Sequence, residues 1–436
     1  MTKKSTLDFA QEILDNYRRF NIDDVEVLIS ENKRLSVKSR NLKLENIDRS
    51  NSININVNIY KDNRKASLSL NNIKKIKINE FLEKGSAMVS SMPIDKFCGL
   101  PDKKDYETSF KDLDLEDKNE LSDKEMLQHA ISTEAAMLEN KKITNSEGAT
   151  RGASKNTSHL ITSKGFKSSF TKTYHSISTI AIAGTETNMQ RDYEYSSAIY
   201  SKDLSSFKEI GEKAANRAVS RLSSKKIKSC SLDVIFEPRV AKSILSSFCS
   251  CANGVAIARK TSFLENKINN PIFKENIKVT NNPKILRGLG SMPYDDNGIK
   301  SNKINIIDKG VLKNFFLNLR SSRQLNIPVN GNSGPRNLIL ENGSETLENI
   351  ISSIKNGFLI TEMLGMSFNP VNGDYSRGAA GFKIDNGEIS YPVSEVTIAG
   401  NMLEMMMNLT PANDMEINDN INCPSILIND MTLAGL

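Results

Sequence analysis

The chain has 436 residues, 38% of them hydrophobic and 25% charged, with a formal net charge of +6. This is an ordinary globular balance, which excludes a disordered, collagen-like or coiled-coil chain; no window of about 18 uncharged apolar residues is available to span a membrane. The charge is weak for this length, and no segment interleaves clustered Arg and Lys with aromatics, so a nucleic-acid partner is not expected.

The start, MTKKSTLDFAQEIL, has two lysines but no apolar stretch of a secretory signal, so a cytoplasmic protein with no membrane association is expected. Leu7, Ala10, Ile13, Leu14 and Tyr17 recur at helical spacing and predict a helix over 5–20. Alternation at Val25, Val27 and Ile29, at Leu35 and Val37, and at Ile53 to Ile59 predicts strands with one buried face. Lys61-Asp62-Asn63-Arg64 reads as a hairpin turn into a strand bearing Ala66, Leu68 and Leu70. A helix follows over 79–91, stopped by Pro93, and the polar stretch 101–120 reads as a linker or exposed excursion.

Ser122 with Glu125 forms a capping-box pattern at the start of a helix over 122–140. Strands are expected over 177–183 and 193–200, then a helix from Leu204 to Leu222, and a lysine-rich boundary at 223–230. Beyond Ser231 the texture changes. Asn-Gly pairs at 297, 330, 342, 356, 372 and 386 reach positive φ with little strain and predict tight turns. Only two helices are expected there, over 238–251 and 345–356. The fold class is therefore α+β: α/β N-terminal and central regions followed by a β-rich C-terminal domain. The domains expected are 24–100, 121–223 and 231–436.

The five cysteines, Cys98, Cys230, Cys249, Cys251 and Cys423, are odd in number and scattered, so free thiols are expected. Cys249 and Cys251, two apart on a predicted helix, point to different faces. The histidines are His129, His159 and His175, and none sits in an HExxH pattern. GxSxG, a P-loop and a complete dinucleotide fingerprint are absent. One cluster stands out: Gly373, Asp374, Tyr375, Ser376, Arg377 and Gly378 set an acid, a phenol and a guanidinium among turn residues. It reads either as a structural turn held by an Asp–Arg pair or as a peptide-binding motif. The strand after it, from Ile389 to Ile398, contains Pro392, which favours a sheet edge where an extended peptide could add as a strand.

The stretch GDYSRGAAGFKIDNGEISYPVSEVTIAGN, residues 373–401, resembles the signature of the TldD/PmbA family in its PmbA (TldE) branch. NRKASLS at 63–69, MQRDYEYS at 189–196, ARKTSFL at 258–264, GFLITEMLGMSFNPVNGDYSRG at 357–378 and the ending INCPSILINDMTLAGL are similar to it as well. The resemblance runs from about residue 24 to the end. It implies a zinc-peptidase family that acts on unfolded peptides, whose older name is modulator of DNA gyrase.

In the catalytic branch HExxxH stands just before an Arg-Lys…Ser-Phe stretch, here Arg259, Lys260, Ser262 and Phe263. Counting back, Ser246 and Ser247 stand for the first histidine and the glutamate, and Cys251 for the second histidine. Cys423 falls near the ligand cysteine. The resemblance therefore implies a non-catalytic chain with no zinc of its own, paired with a TldD-type subunit that holds the zinc. Unfolded peptide is the implied substrate, and self-association into a homodimer is a further assembly it allows. Two alternatives stay open: an independently active metallopeptidase, and a non-enzymatic regulator associated with DNA gyrase.

Overall fold

Alternating apolar residues build one long antiparallel sheet in the first half of the chain. The computed structural model describes residues 5–435 apart from 75 and 366. The two lysines at positions 3 and 4, Met366 of the 357–378 motif and the terminal Leu436 lie outside the described residues. Helix α1 (Thr6–Asn16) opens on a capping box at Ser5, and 17–20 tightens into a 3-10 turn that stops at left-handed Asn21, shortening the helix expected over 5–20. Strands β1 (Asp24–Arg40) and β2 (Lys43–Lys61) form one long hairpin. The two runs expected at 25–29 and 35–37 are one strand, because the polar residues between them still pair: Asn32 with Ser52, Arg34 with Ser50. β3 (Arg64–Leu70) returns through Asp62 and Asn63, both at positive φ as a tight hairpin demands.

Helix α2 (Ile78–Ser90) buries Phe81, Leu82 and Val89 with Phe9 and Ile13 of α1 against Ile55, Val57 and Ile59. Helix α3 (Asp123–Leu138) starts at Ser122, whose hydroxyl accepts from Glu125 N while the Glu125 carboxylate accepts from Ser122 N at 2.8 Å. Strands β4 (Ile143–Thr162), β5 (Lys167–Ala183) and β6 (Gln190–Ala198) complete a sheet of order β3-β2-β1-β4-β5-β6. β1 pairs with β4 from Glu26 to Ser39, so residues of 24–100 and of 121–223 contribute three strands each to one sheet. Helix α4 (Phe207–Ser220) lies on α3 at Gly211, where a Cβ would stand 2.3 Å from the Thr133 carbonyl oxygen.

The polar stretch 101–120 is not an exposed excursion. Tyr106, Glu107, Leu113, Leu115 and Asp117 are buried. Glu107 N donates to Gly298 O, and Thr173 N to Leu115 O. Its short alternation, hidden among charges, straps the segment across the sheet.

The second half begins with β7 (Cys230–Phe236), helix α5 (Pro238–Cys251) and helix α6 (Gly254–Ala258). A small sheet follows from β8 (Val279–Asn281), β9 (Ile304–Asp308), β10 (Val311–Leu312) and, past helix α7 (Leu319–Leu325), β11 (Leu338–Leu340). After helix α8 (Leu347–Ser353) come β12 (Asn356–Leu364), β13 (Asp374–Asp385) and β14 (Glu388–Asn401). Helix α9 (Met402–Asn408), β15 (Leu409–Pro411), β16 (Ile421–Asn422) and β17 (Ile426–Ala434) complete the chain. The main sheet runs β14-β13-β12-β7-β17-β15, and Thr397–Ala399 of β14 also pair with Thr432–Ala434 of β17, which closes it into a barrel.

Phe236, Phe358, Ile360, Ile398, Ile426 and Leu433 belong to the apolar core of this half, with Phe248 of α5. Gly298, Gly331, Gly373 and Gly387 take the positive φ expected of Asn-Gly turns. Asn356-Gly357 instead opens β12, since pairing with β7 and β13 there overrides the turn preference and also ends α8 at Ser353, three residues short of the helix expected over 345–356.

Candidate functional site

Helix α5 follows strand β7 directly, with Glu237 at its N-cap and Pro238 in its first turn, where a missing N–H costs nothing. Val240, Ala241, Ile244, Leu245 and Phe248 bury one face. Ser243, Ser247 and Cys251, four residues apart, share another stripe. Ser247 Oγ donates to Ser243 O at 3.0 Å, and Cys251 Sγ lies 4.0 Å from Pro370 O. Ser246 projects away and is exposed.

The structure brings this stripe to the second predicted cluster. Arg377 on β13 donates from Nε to Gly365 O at 2.9 Å and from Nη1 to Ser243 Oγ at 3.3 Å. The Asp374–Arg377 pair expected from the sequence does not form. Both residues lie on a strand, and three positions apart they point to opposite faces. Asp374 instead accepts from Asn372 Nδ2 at 2.6 Å, while its N–H donates to Asn372 Oδ1 at 3.1 Å, an Asx-type closure of the Asn-Gly turn. Tyr375 is buried, and burial pushes its phenol up to about 12. Ser376 N donates to Ser367 O, Gly373 takes φ +85°, and Gly378 lies against Leu364.

The edge expected around Pro392 is covered. Lys225 N donates to Pro392 O at 2.8 Å and Ser394 N to Lys225 O, so the 223–230 connection itself pairs with β14. Further along, β17 takes the same edge. Among the described residues, an added peptide strand therefore has no free ladder at Pro392 to Ser394 or at Thr397 to Ala399.

The residues at the expected zinc positions do not fit zinc. Zinc takes thiolate, imidazole or carboxylate ligands, and Ser246 and Ser247 offer hydroxyls, one of which already serves the helix backbone. Burial pushes the Cys251 thiol up to about 11, and raises Cys249 and Cys423 further. Neutral thiols are poor ligands. Cys423 lines a separate cavity of about 190 Å³ with Glu237, Arg239, Lys242 and Asp414. Among the described residues, no three His, Cys, Asp or Glu side chains gather to hold a metal.

The histidines lie in the first half of the chain, one on helix α3 and two on the long sheet. His129 of α3 stacks on Phe207 at 4.4 Å, and His159 sits on β4. His175 of β5 lies between Arg151 Nη2, at 3.3 Å from its Nδ1, and Asp117, 3.4 Å from its Nε2. Burial, with Arg151, brings His175 down to about 4, so it is neutral near pH 7.

Sequence reasoning missed a buried ion network between the two halves. Arg239 of α5 meets Asp192 of β6 at 2.8 Å and Glu237 at 2.6 Å. Arg221 after α4 meets Asp192 at 3.4 Å and also pairs with Glu362 of β12. Burial works against the Arg239 cation, but Glu237 and Asp192 outweigh it and hold the guanidinium charged. The only signal was local: acids and arginines inside the stretches MQRDYEYS and FEPRV, with nothing to show that they meet.

Comparison with known proteins gives a consistent picture. Residues 229–435 match the model of the PmbA/TldA metallopeptidase C-terminal domain, and 109–222 match that of the central domain. The chain is 32% identical to metalloprotease PmbA of Escherichia coli O157:H7, over 95% of this chain and 92% of that one. It is 31% identical to a metalloprotease PmbA homologue of Buchnera aphidicola from Acyrthosiphon pisum, over 100% and 96%. A crystal structure from Bacteroides thetaiotaomicron, named for modulation of DNA gyrase, superposes over both whole chains with a TM-score of 0.93 at 26% identity. TldE of Thermococcus kodakarensis shares the fold, with a TM-score of 0.84 at 19% identity over 98% of this chain and 100% of that one.

Proposed function

From the premise that the chain belongs to the PmbA/TldD metallopeptidase family, we propose that it is the TldE-type, non-catalytic subunit of a two-subunit zinc peptidase that cuts unfolded peptides. The observation that carries this reading is the donor set on α5: hydroxyls at Ser246 and Ser247 and a buried neutral thiol at Cys251, where the family's peptidase branch has His, Glu and His. Zinc, bound by a TldD-type partner, would supply the activated water. This chain would supply part of the wall around the peptide, with the 373–378 turn and its Arg377–Ser243 tie to α5 as the shaped element.

Copurification with the host's TldD-like protein, followed by peptide cleavage by each subunit alone and by the pair, tests the proposal. Cleavage by the pair alone is the expected result, with far less than one zinc per chain in this subunit. The relatives' name, metalloprotease, favours a second reading in which the chain cleaves peptides alone. Near-stoichiometric zinc that is lost on Cys251→Ala, with activity of the isolated chain, would establish that reading instead.

Arg377→Ala separates a working turn from a merely structural one. The variant is expected to fold and to pair with the partner normally while the complex cleaves peptide at least tenfold more slowly. Failure of the variant to accumulate would make the turn structural.

A further inference from the structure

The helix-bearing face of the long sheet has an open band that the proposed peptidase role does not use. At one end α1 and α2 pack over Ile29, Ile55 and Val57. At the other, α3 sets its Glu134 carboxylate against Ser39 Oγ at 2.9 Å. Between them lies a cavity of about 300 Å³, floored by the sheet and walled by the chain from Asp117 to Leu121, just ahead of α3. Strand register builds the floor. Lys33 of β1 pairs directly with Lys155 of β4. In the next row on the same face, Arg49 pairs with Leu35, Leu35 with Ala153, and Ala153 with His175 of β5. Three cations and an imidazole thus stand around the small Ala153.

Two features of this floor are costly as they stand. Like charges directly opposed on neighbouring strands are destabilising. Glu116 meets Lys155 at 2.5 Å and Asp123 meets Arg49 at 2.7 Å, but Lys33 has no ion pair among the described residues. The second feature is His175. Arg151 Nη2 lies 3.3 Å from its Nδ1, and a guanidinium can only donate, so Nδ1 accepts and the ring proton sits on Nε2. His175 is 4% exposed, and its Nε2 has no hydrogen-bond partner among the described residues. Asp117 is 3.4 Å from it, but the Asp117 oxygens already accept from Asn119 N at 3.0 Å and Ser201 N at 2.9 Å. A buried N–H without an acceptor is a penalty that a ligand oxygen would remove.

We propose that this cavity is a binding site for a phosphate group. Two opposed lysines call for more than one negative charge between them. A phosphate group brings about −1.5 to −2 at pH 7 and three strong acceptor oxygens, one each for Lys33, Lys155 and the His175 N–H. A carboxylate brings a single charge and two oxygens. The fully buried Arg151 behind the imidazole adds a fixed cation. Asp117 and Glu120 line the opposite wall. Carboxylates there repel a second phosphate and suit the hydroxyls of a polyol monophosphate, so an ester is favoured over the free ion. The site shares no residue with the α5–β13 site and does not depend on the peptidase reading.

Isothermal titration calorimetry on the full chain, at constant ionic strength in chloride, compares inorganic phosphate, glycerol 3-phosphate and succinate. Both phosphates are expected to bind saturably, and succinate at least tenfold more weakly. Tighter binding of glycerol 3-phosphate assigns the site to a phosphorylated polyol, and tighter binding of inorganic phosphate assigns it to the free ion. Lys33→Glu, at an exposed position, should weaken both phosphates at least tenfold while circular dichroism shows an unchanged fold. The chain has three histidines, so His129→Gln/His159→Gln leaves His175 alone in a histidine-labelled nitrogen-15 spectrum. Its Nε2–H signal should shift as phosphate saturates at pH 7.5. No saturable binding of either phosphate by the wild type, succinate binding as tight as phosphate, undiminished binding by Lys33→Glu, or a His175 signal that stays still at saturation each overturns the proposal.

Discussion

Asp295 holds one carboxylate oxygen against Asn297 N at 2.9 Å and Ile299 N at 2.8 Å, while the other is buried with no hydrogen-bond partner among the described residues. Burial pushes this carboxyl up to about 7, overriding the two backbone donors, and Asp296 and Glu26 push the same way. A folded pKa above the unfolded value of 3.8 means that the folded state binds the extra proton. The stability that this proton confers is present below about pH 4 and is lost as the pH rises through about 7. Asp295→Asn keeps the accepting oxygen and removes the charge. It is expected to flatten the decline in the urea midpoint between about pH 4 and 8, leaving the midpoint near pH 4 little changed. His175 has the opposite sign. Its pKa, brought down to about 4, makes the folded state resist a proton that the unfolded chain takes, so its contribution is lost as the pH falls from 6.5 toward 4.

At the scale of elements, caps and periodicity carried much of the information. The Ser122–Glu125 box was legible because the motif is local, three residues apart, and the structure places α3 on it. Ser122→Ala removes an acceptor from the exposed helix start and is expected to cost about 1 kcal/mol, read as a lower urea midpoint by circular dichroism. The chain has no tryptophan to report by fluorescence. The Asp62-Asn63 hairpin and the start and end of α5 were legible for the same reason. What failed was whatever depends on distant partners. The burial of 101–120 comes from strands and loops remote in sequence, and a run of charges hid Leu113 and Leu115. Pro392 correctly signalled an edge-compatible position, yet the 223–230 connection had already claimed it. At the candidate site, spacing singled out Asp374 and Arg377, but only the strand assignment shows that they point apart. That Arg377 reaches Ser243, 134 positions away, has no local signature.

For the whole molecule, the ion network of Arg239, Asp192, Arg221, Glu237 and Glu362 fixes the barrel to the long sheet. Removing one member of such a buried set strands the others without a counter-charge. Arg239→Ala is therefore expected to destabilise by about 3–5 kcal/mol, whereas Arg239→Met with Asp192→Asn should cost less, as measured by urea unfolding. Tyr106, Phe166 and Tyr294 form a second seam of stacked and edge-on rings. The barrel's strand order has a consequence for synthesis. β7 lies between β12 and β17, and its Phe236 pairs with Ile426. β17 is the last of these strands to leave the ribosome, so β7 emerges long before either neighbour exists. The long sheet, whose strands all precede residue 200, can assemble during translation. The barrel must wait, with the apolar Val234, Ile235 and Phe236 in need of shelter until its final strand arrives, and this half of the protein is the one a chaperone would be expected to attend.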